Sequence, residues 1–356
     1  MKTKKIMSLL MVMLISTIGA TAKSPARKLL NRLKSLQRVG IMVGHQDDPV
    51  YGTTWKWDEG RSDVKDVCGD YPAVMGFELG SIELGQAKNL DNVPFDRMRR
   101  EIMAQHERGG IVTLSWHPWN PVTGKNAWDP TGNAVSAVLP GGDKHELFNQ
   151  WLDIVANFLD SLRTPDGKRI PVIFRPWHEM SGDWFWWGKG RCTDEEYRQL
   201  FRYTYDRLVR YHHLDNLVWC YSPNGGVENY LERYPGDKYI DLLGIDFYDF
   251  DADDAKYTAG LTKELNRLTK IGKEHKKLVT LSETGSQRLP NACWFTQVLW
   301  PVIKNYPLSY VLFWRNAWDN PKEMYMAAPG HATAPDFRKF YEMKHTLFIN
   351  DIRKYQ

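Results

Sequence analysis

Val172-Ile173-Phe174-Arg175-Pro176-Trp177-His178-Glu179-Met180-Ser181-Gly182-Asp183-Trp184-Phe185-Trp186-Trp187-Gly188 begins as a strand and ends in chemistry. Its β-branched and aromatic opening reads as a buried strand, which stops abruptly at a carboxylic acid with four tryptophans within ten residues. Aromatic faces stack on the C–H faces of pyranose rings. An apolar wall disfavours the charged form of a nearby carboxyl and raises its pKa toward what proton donation at neutral pH requires. The plainer alternative is a Trp-rich core hairpin that happens to carry an acid.

Working outward, short apolar runs of the same kind recur at 41–44, 73–77, 111–116, 171–174, 217–221, 242–247, 278–281 and 310–314. Between them lie stretches whose apolar residues return every three or four positions, at 95–108, 146–162, 194–211 and 262–275, as amphipathic helices require. Strands alternating with helices pair in parallel, and strands that are apolar throughout are covered on both faces. Eight such units predict an α/β fold, a closed (β/α)8 TIM barrel. A doubly wound open sheet would want a glycine fingerprint after its first strand, and Gly44-His45-Gln46-Asp47 does not supply one. With no Pro-, Gly- or Ser-rich linker and no internal repeat, a single catalytic domain is expected over 23–356.

Residues 1–22 read differently. Lys2, Lys4 and Lys5 precede an apolar run from Ile6 to Ile18, and Ala20-Thr21-Ala22 offers a small-x-small cleavage site. This is the pattern of a signal peptide, too short for the roughly 20 apolar residues of a membrane span, so a secreted or periplasmic chain with no membrane span after processing is expected. Removing those three lysines from the net charge of +4 leaves +1. A near-neutral surface lacks the basic footprint of a nucleic-acid binder and suits an uncharged ligand. Cys68, Cys192, Cys220 and Cys293 show no CxxC pairing that would hold zinc; export would permit disulfides, although Cys220 lies inside a strand.

A barrel of this kind carries its active site at the C-terminal ends of its strands. There the sequence places His45, Gln46 and Asp47; Glu78; His117 and Trp119; Trp177, His178 and Glu179; Ser222 and Asn224; Asp246 and Tyr248; Glu283; and Arg315, Asn316 and Trp318. Four carboxylates, Glu78, Glu179, Asp246 and Glu283, compete for the two roles that glycosidic hydrolysis needs, a proton donor and a nucleophile or base. Glu179 has the aromatic surroundings of the donor. Glu283, in Ser282-Glu283-Thr284-Gly285, has hydroxyl neighbours that suit an ionised nucleophile. The fourth and seventh strands face each other closely enough for a separation of about 5 to 5.5 Å, the spacing linked to retention of configuration. Glu78 reads equally as an ion-paired strand end or as a substrate contact.

The segment 175–180 with Gly182 and Trp184-Phe185-Trp186-Trp187-Gly188 resembles the acid/base motif of glycoside hydrolase family 26, in clan GH-A, whose main activity is endo-β-1,4-mannanase. Ser282-Glu283-Thr284-Gly285, Ser115-Trp116-His117-Pro118-Trp119 and Trp314-Arg315-Asn316-Ala317 support the resemblance. It implies that Glu179 is the general acid/base and Glu283 the nucleophile. It also implies that His117 and His178 contact the sugar or tune the carboxylates, that Trp184 lies beneath the sugar at the cleavage point, and that Tyr248 hydrogen-bonds the nucleophile. Trp314 and Arg315 match a pair that holds the next sugar on the non-reducing side, and Trp119 and Asp246 join the expected substrate contacts. Ser181 stands where the family commonly has asparagine. The implied partner is β-mannan or manno-oligosaccharide, cut by a monomer without cofactor.

His45, His117 and His178 follow three different strands without HxH spacing, so no catalytic metal is expected. His212, His213 and His331 read as surface or loop residues. Three alternatives stay open: an exo-acting, mannobiose-releasing enzyme whose loops at 80–93 or 120–144 close one end of the cleft; a β-1,3-1,4-glucanase or β-1,3-xylanase; and, in a different class, an inactive glycan-binding protein.

Overall fold

Eight parallel strands close on themselves in the computed structural model, which describes residues 23–355; the leader expected at 1–22 lies outside the described residues. They are β1 Ile41–Gln46, β2 Val74–Glu78, β3 Ile111–Trp116, β4 Val172–Pro176, β5 Leu217–Tyr221, β6 Leu242–Asp249, β7 Leu278–Ser286 and β8 Leu308–Phe313. Each pairs with the next, and β8 returns to β1 with Met42 opposite Tyr310 and Val43 opposite Val311. Closure rules out the open sheet. All eight expected runs are strands, two of them with the expected ends.

The strands are apolar on both faces because both are covered. Outside the barrel, the helix His145–Ser161 buries Phe148, Trp151, Leu152, Val155, Phe158 and Leu159, the three-and-four spacing of a single stripe. The helix expected at 262–275 spans Asp254–Glu274, starting where the Asp253 side chain accepts the Lys256 N–H. The one expected at 194–211 is α-helical over Asp194–Tyr205 and then widens into a π-helical turn, Asp206–Tyr211. All four cysteines are free, and Cys220 is buried in β5, so the disulfides that export would permit are not formed. Among the described residues no helix is long and apolar enough to cross a membrane.

Along each strand the inward side chains change character from bottom to top. At the N-terminal floor Met42, Val74, Ile111, Ile173, Val218, Leu242, Tyr310 and Leu312 pack together over Leu29, Leu33 and Leu36 of the helix Pro25–Leu36. Space there is tight: a Cβ on Gly44 would lie 2.8 Å from the Leu312 side chain. At the C-terminal rim the inward positions are Arg175, Ser222, Asp246, Ser282 and Glu283, all buried.

Two irregularities shape that rim. Leu281 pairs with Ile245 but Glu283 with Asp246, so Ser282 is an extra residue in β7. A strict alternation would send Ser282 and Glu283 to opposite faces; the bulge turns both into the barrel. After β4, Trp177 and Glu179 adopt left-handed φ values of 56° and 52°, costly for side chains of this size.

Candidate active site

The tight turn after β4 is held at every joint. Tyr197 Oη donates to the Trp177 carbonyl (2.7 Å), the Trp177 indole to Thr204 Oγ1 (3.0 Å), the Trp187 indole to the His178 carbonyl (2.9 Å), and the Glu179 N–H to the Ser222 carbonyl (2.8 Å). These bonds offset the backbone strain and aim the Glu179 carboxyl across the barrel at β7. Trp184 donates its indole N–H to Glu179 Oε2 (2.9 Å) while its ring stays 37% exposed, a flat surface beside the acid.

Glu179, Asp246 and Glu283 each present an oxygen within 4.8 Å of the others. Such a triad could grip a cation, and Arg175 supplies one. Its guanidinium, 1% exposed, spans Asp246 Oδ2 (2.9 Å) and Glu283 Oε1 and also reaches Ser222 Oγ (3.1 Å). The Tyr248 hydroxyl donates to the other Glu283 oxygen (2.6 Å), and Ser282 Oγ to Asp246 Oδ1 (2.6 Å). Each of the two inner carboxylates therefore has a charged donor and a hydroxyl donor. Glu179 has no cation in contact. Burial, and then the nearby charge of Glu283, push its pKa up to about 7, against the smaller opposing pull of the Trp184 hydrogen bond.

The histidines form a chain leading to the same place. Glu78 takes the His117 backbone N–H (2.7 Å), His117 Nδ1 (2.8 Å) and the Ser115 hydroxyl, so it is an ion-paired strand end that also borders the groove. Burial disfavours a charged His117, but Glu78 outweighs it and holds the imidazole above its usual pKa. His117 Nε2 meets His178 Nε2 at 3.0 Å, and His178 is held well below the usual value by burial, then by Arg175 and His117. A protonated His117 donating to a neutral His178 satisfies both directions.

A groove of 360 Å³ runs over these groups, lined by Glu78, His117, His178, Glu179, Trp184, Tyr248, Glu283, Trp314 and Arg315 among others. It thus gathers both expected catalytic residues and six of the eight expected substrate contacts. The two exceptions have reasons. Asp246 has both oxygens taken by Arg175 and Ser282 and borders a separate recess, so it positions the guanidinium. Trp119 is absent from the groove lining; half-buried, it donates its indole N–H to Ser81 Oγ (3.0 Å) while its backbone N–H goes to the buried Glu83 (2.8 Å). Trp128, from the loop at 120–144, takes the place expected for it, stacked on His117 at 5.1 Å and 11°.

Arg315 is more tethered than a free sugar ligand would be, with Nη1 on Asp91 (2.7 Å) and Nε on Glu323 (2.5 Å). Asp91 and Glu323, like Trp128, carry no motif in the sequence. Arg175 does carry a signal, a lone cation inside an apolar strand, whose partner only the fold reveals.

Comparison with known proteins accords with this geometry. The family model for glycosyl hydrolase family 26 matches residues 18–332. A mannan endo-1,4-beta-mannosidase of Bifidobacterium adolescentis is 33% identical over 94% of this chain, and one of Thermothelomyces thermophilus is 30% identical over 76%. The matched regions span 35% and 52% of those two proteins' lengths, so the chain covers a third to a half of each. Among solved structures, a GH26 beta-mannanase from Bacteroides ovatus superposes with a TM-score of 0.90 at 49% identity, covering 92% of this chain and 96% of that one.

Proposed function

The chain belongs to glycosyl hydrolase family 26, and from that premise we propose that it is a retaining β-mannanase that cuts internal β-1,4 bonds of mannan, glucomannan or galactomannan. Glu179 protonates the departing glycosidic oxygen while Glu283 attacks the anomeric carbon, forming a glycosyl-enzyme ester. Glu179 then takes a proton from the water that releases the sugar. The observation that carries this reading is the approach of the Glu179 and Glu283 oxygens to within 4.8 Å, too close for a water to attack from the opposite face and suited to direct displacement.

The pKa of about 7 at Glu179 leaves about half of the acid protonated when substrate binds near neutrality. Trp184, Trp314, Arg315, His117 and His178 line the path of the sugar chain. The path continues past Glu179 into the recess bordered by Asn224, Phe247 and Phe250, which leaves room for sugar on both sides of the acid. The leader-like pattern at 1–22 supports export to where polysaccharide is found.

The test is turnover by Glu283→Ala. The variant is expected to fold and to bind manno-oligosaccharide but to release no reducing sugar from mannan, and near-wild-type activity would remove the nucleophile assignment. A panel of galactomannan, glucomannan, lichenan and xylan checks the substrate, and an inert wild-type protein that still binds mannan would leave the glycan-binding alternative.

A further inference from the structure

The net charge of +1 for residues 23–356 hides a segregation. Residues 23–46 carry six cations, Lys23, Arg27, Lys28, Arg32, Lys34 and Arg38, and no acid, so residues 47–356 carry −5. Arg32 is half-buried and the other five are exposed. The fold places this segment at one end of the molecule, in the helix Pro25–Leu36 that plugs the barrel floor. Leu29, Leu33 and Leu36 face the barrel, while Arg27 and Lys34, seven residues apart, share the opposite stripe.

Tertiary packing adds to this charge. A recess of 470 Å³ beside the helix brings Lys273, Lys276 and Lys277, from the end of the helix Asp254–Glu274 and the turn into β7, next to Arg27 and Lys34, with Asp241 as its one acid. A second recess of 560 Å³ joins Lys28 and Arg32 to His106, Lys168 and Arg169, with no acid in its lining. The acids nearby are already engaged. Asp241 Oδ2 accepts the Trp219 N–H (3.0 Å), Asp160 and Asp215 take Arg169 (2.7 and 3.0 Å), and Asp166 takes Lys168. Arg27, Lys28, Lys34, Lys273 and Lys276 have no ion-pair partner among the described residues. Nor does the fold use their charge: Arg27 and Lys28 stand in the first helical turn, where positive charge opposes the helix dipole, and like charges side by side repel.

We propose that the barrel floor is a docking face for a bilayer that carries anionic phospholipid headgroups. Clusters of Lys and Arg on a helix are drawn to such a surface by many weak attractions and need no shaped pocket. The chain that leads into the face selects lipid over other polyanions. Ser24 borders the floor, and the apolar run 6–18 ends five residues before Lys23, a span of at most about 18 Å. A run suited to a bilayer core therefore leads directly into the basic helix. The groove opens at the opposite end of the barrel, so docking through the floor leaves it clear. This inference goes beyond the catalytic reading and does not depend on it.

The experiment measures co-sedimentation of residues 23–356, which contain the whole closed barrel and its plug, with vesicles of phosphatidylcholine alone or mixed with phosphatidylglycerol. Binding is expected only to the mixed vesicles, and it is expected to vanish in about 1 M salt, where the screening length is about 3 Å. The triple variant Arg27→Gln, Lys28→Gln, Lys34→Gln is expected to lower the partition constant about a hundredfold, on the order of fivefold per charge. A charge-matched triple at the opposite end, Lys125→Gln, Lys189→Gln, Lys256→Gln, is expected to change it by less than about twofold. The lipid and salt dependence of the unsubstituted protein tests the face without any variant. Equal losses in the two triples overturn the proposal, since net charge rather than the floor would then be responsible. It is also overturned by equal binding to both kinds of vesicle, by no binding to the mixed ones, or by displacement with duplex DNA at a lower phosphate concentration than with anionic vesicles.

Discussion

Ile173 and Arg175 are two residues apart on one strand and point into one barrel, yet they belong to regions built on opposite terms. Around Ile173 the floor is apolar and regular, and it is plugged by the helix Pro25–Leu36 and by Leu347, Ile349 and Ile352. Arg32 ties that plug down through the carbonyls of Gly109 (2.6 Å), Ile352 (3.0 Å) and Tyr355 (3.1 Å). Around Arg175 the rim holds two buried acids and a half-buried third against one cation, a bulged strand and two residues in left-handed backbone. Burying apolar area stabilises; burying charge and strain does not, unless neighbours offset it. The contrast separates where the fold is held from where it works, and it can be tested from both ends.

The largest effect is expected at the centre of the rim. Arg175→Met leaves Asp246 and Glu283 facing each other in a buried site without their shared cation. We expect kcat on mannan to fall by about 10² to 10³ and stability to drop by about 3 to 5 kcal/mol, because an uncompensated buried charge costs more than the pair contributes. Wild-type kcat in this variant would show that the guanidinium does not hold the proposed nucleophile, Glu283.

At the floor the expectation inverts. Leu33 is fully buried beneath the barrel, and Leu33→Ala should cost about 2 to 4 kcal/mol in urea unfolding through lost burial and the cavity left behind, while kcat stays at the wild-type value. A matching fall in kcat would mean that floor and rim are coupled, and the comparison would break.

A finer probe tests how closely the rim is fitted. A Cβ on Gly182 would lie 2.2 Å from the Trp184 ring, so Gly182→Ala must push the indole off its seat and away from Glu179. We expect kcat/KM to fall about tenfold, the scale of a lost stacking contact plus a hydrogen bond. Trp184→Phe, which keeps a ring but not the N–H, should lose less; an equal loss would assign the effect to the hydrogen bond alone.

The same contrast decides what is legible in the sequence. The floor obeys patterns of apolar and β-branched residues, so all eight strands can be read, with 111–116 and 217–221 correct to the residue. Glu179 and Glu283 can be read because motif residues at strand ends converge in any barrel. What a pattern cannot carry is a break in the pattern. The extra residue at Ser282, which aims Glu283 inward, and the left-handed Trp177 and Glu179 leave no mark on periodicity. Sequence favours Trp119 over Trp128 because Trp119 sits at a strand end, whereas Trp128 reaches the groove from the middle of a long loop whose path only tertiary packing sets.

The smallest effect is the sharpest test, because its sign opposes that of every other variant. Glu179 ordinarily ionises near 4.5, and in the folded chain burial beside Glu283 raises this to about 7. Between those values the folded state holds a proton that the unfolded state has released, so stability falls as pH rises through the window, and the full penalty is present by about pH 8. Glu179→Gln relieves part of that penalty, since the amide drops the charge but is still a polar group taken out of water. Thermal unfolding should shift up by roughly 2 to 4 °C at about pH 8, corresponding to about 1 kcal/mol, and not at all at about pH 4. In wild type the same proton sets the alkaline limb of kcat/KM near pH 7, which vanishes with the acid. Leu33→Ala is expected to lose stability and keep function, and Glu179→Gln to gain stability and lose function. A Glu179→Gln variant no more stable than wild type at about pH 8 would mean that the acid carries no strain, and the rim would then be ordinary surface with respect to stability.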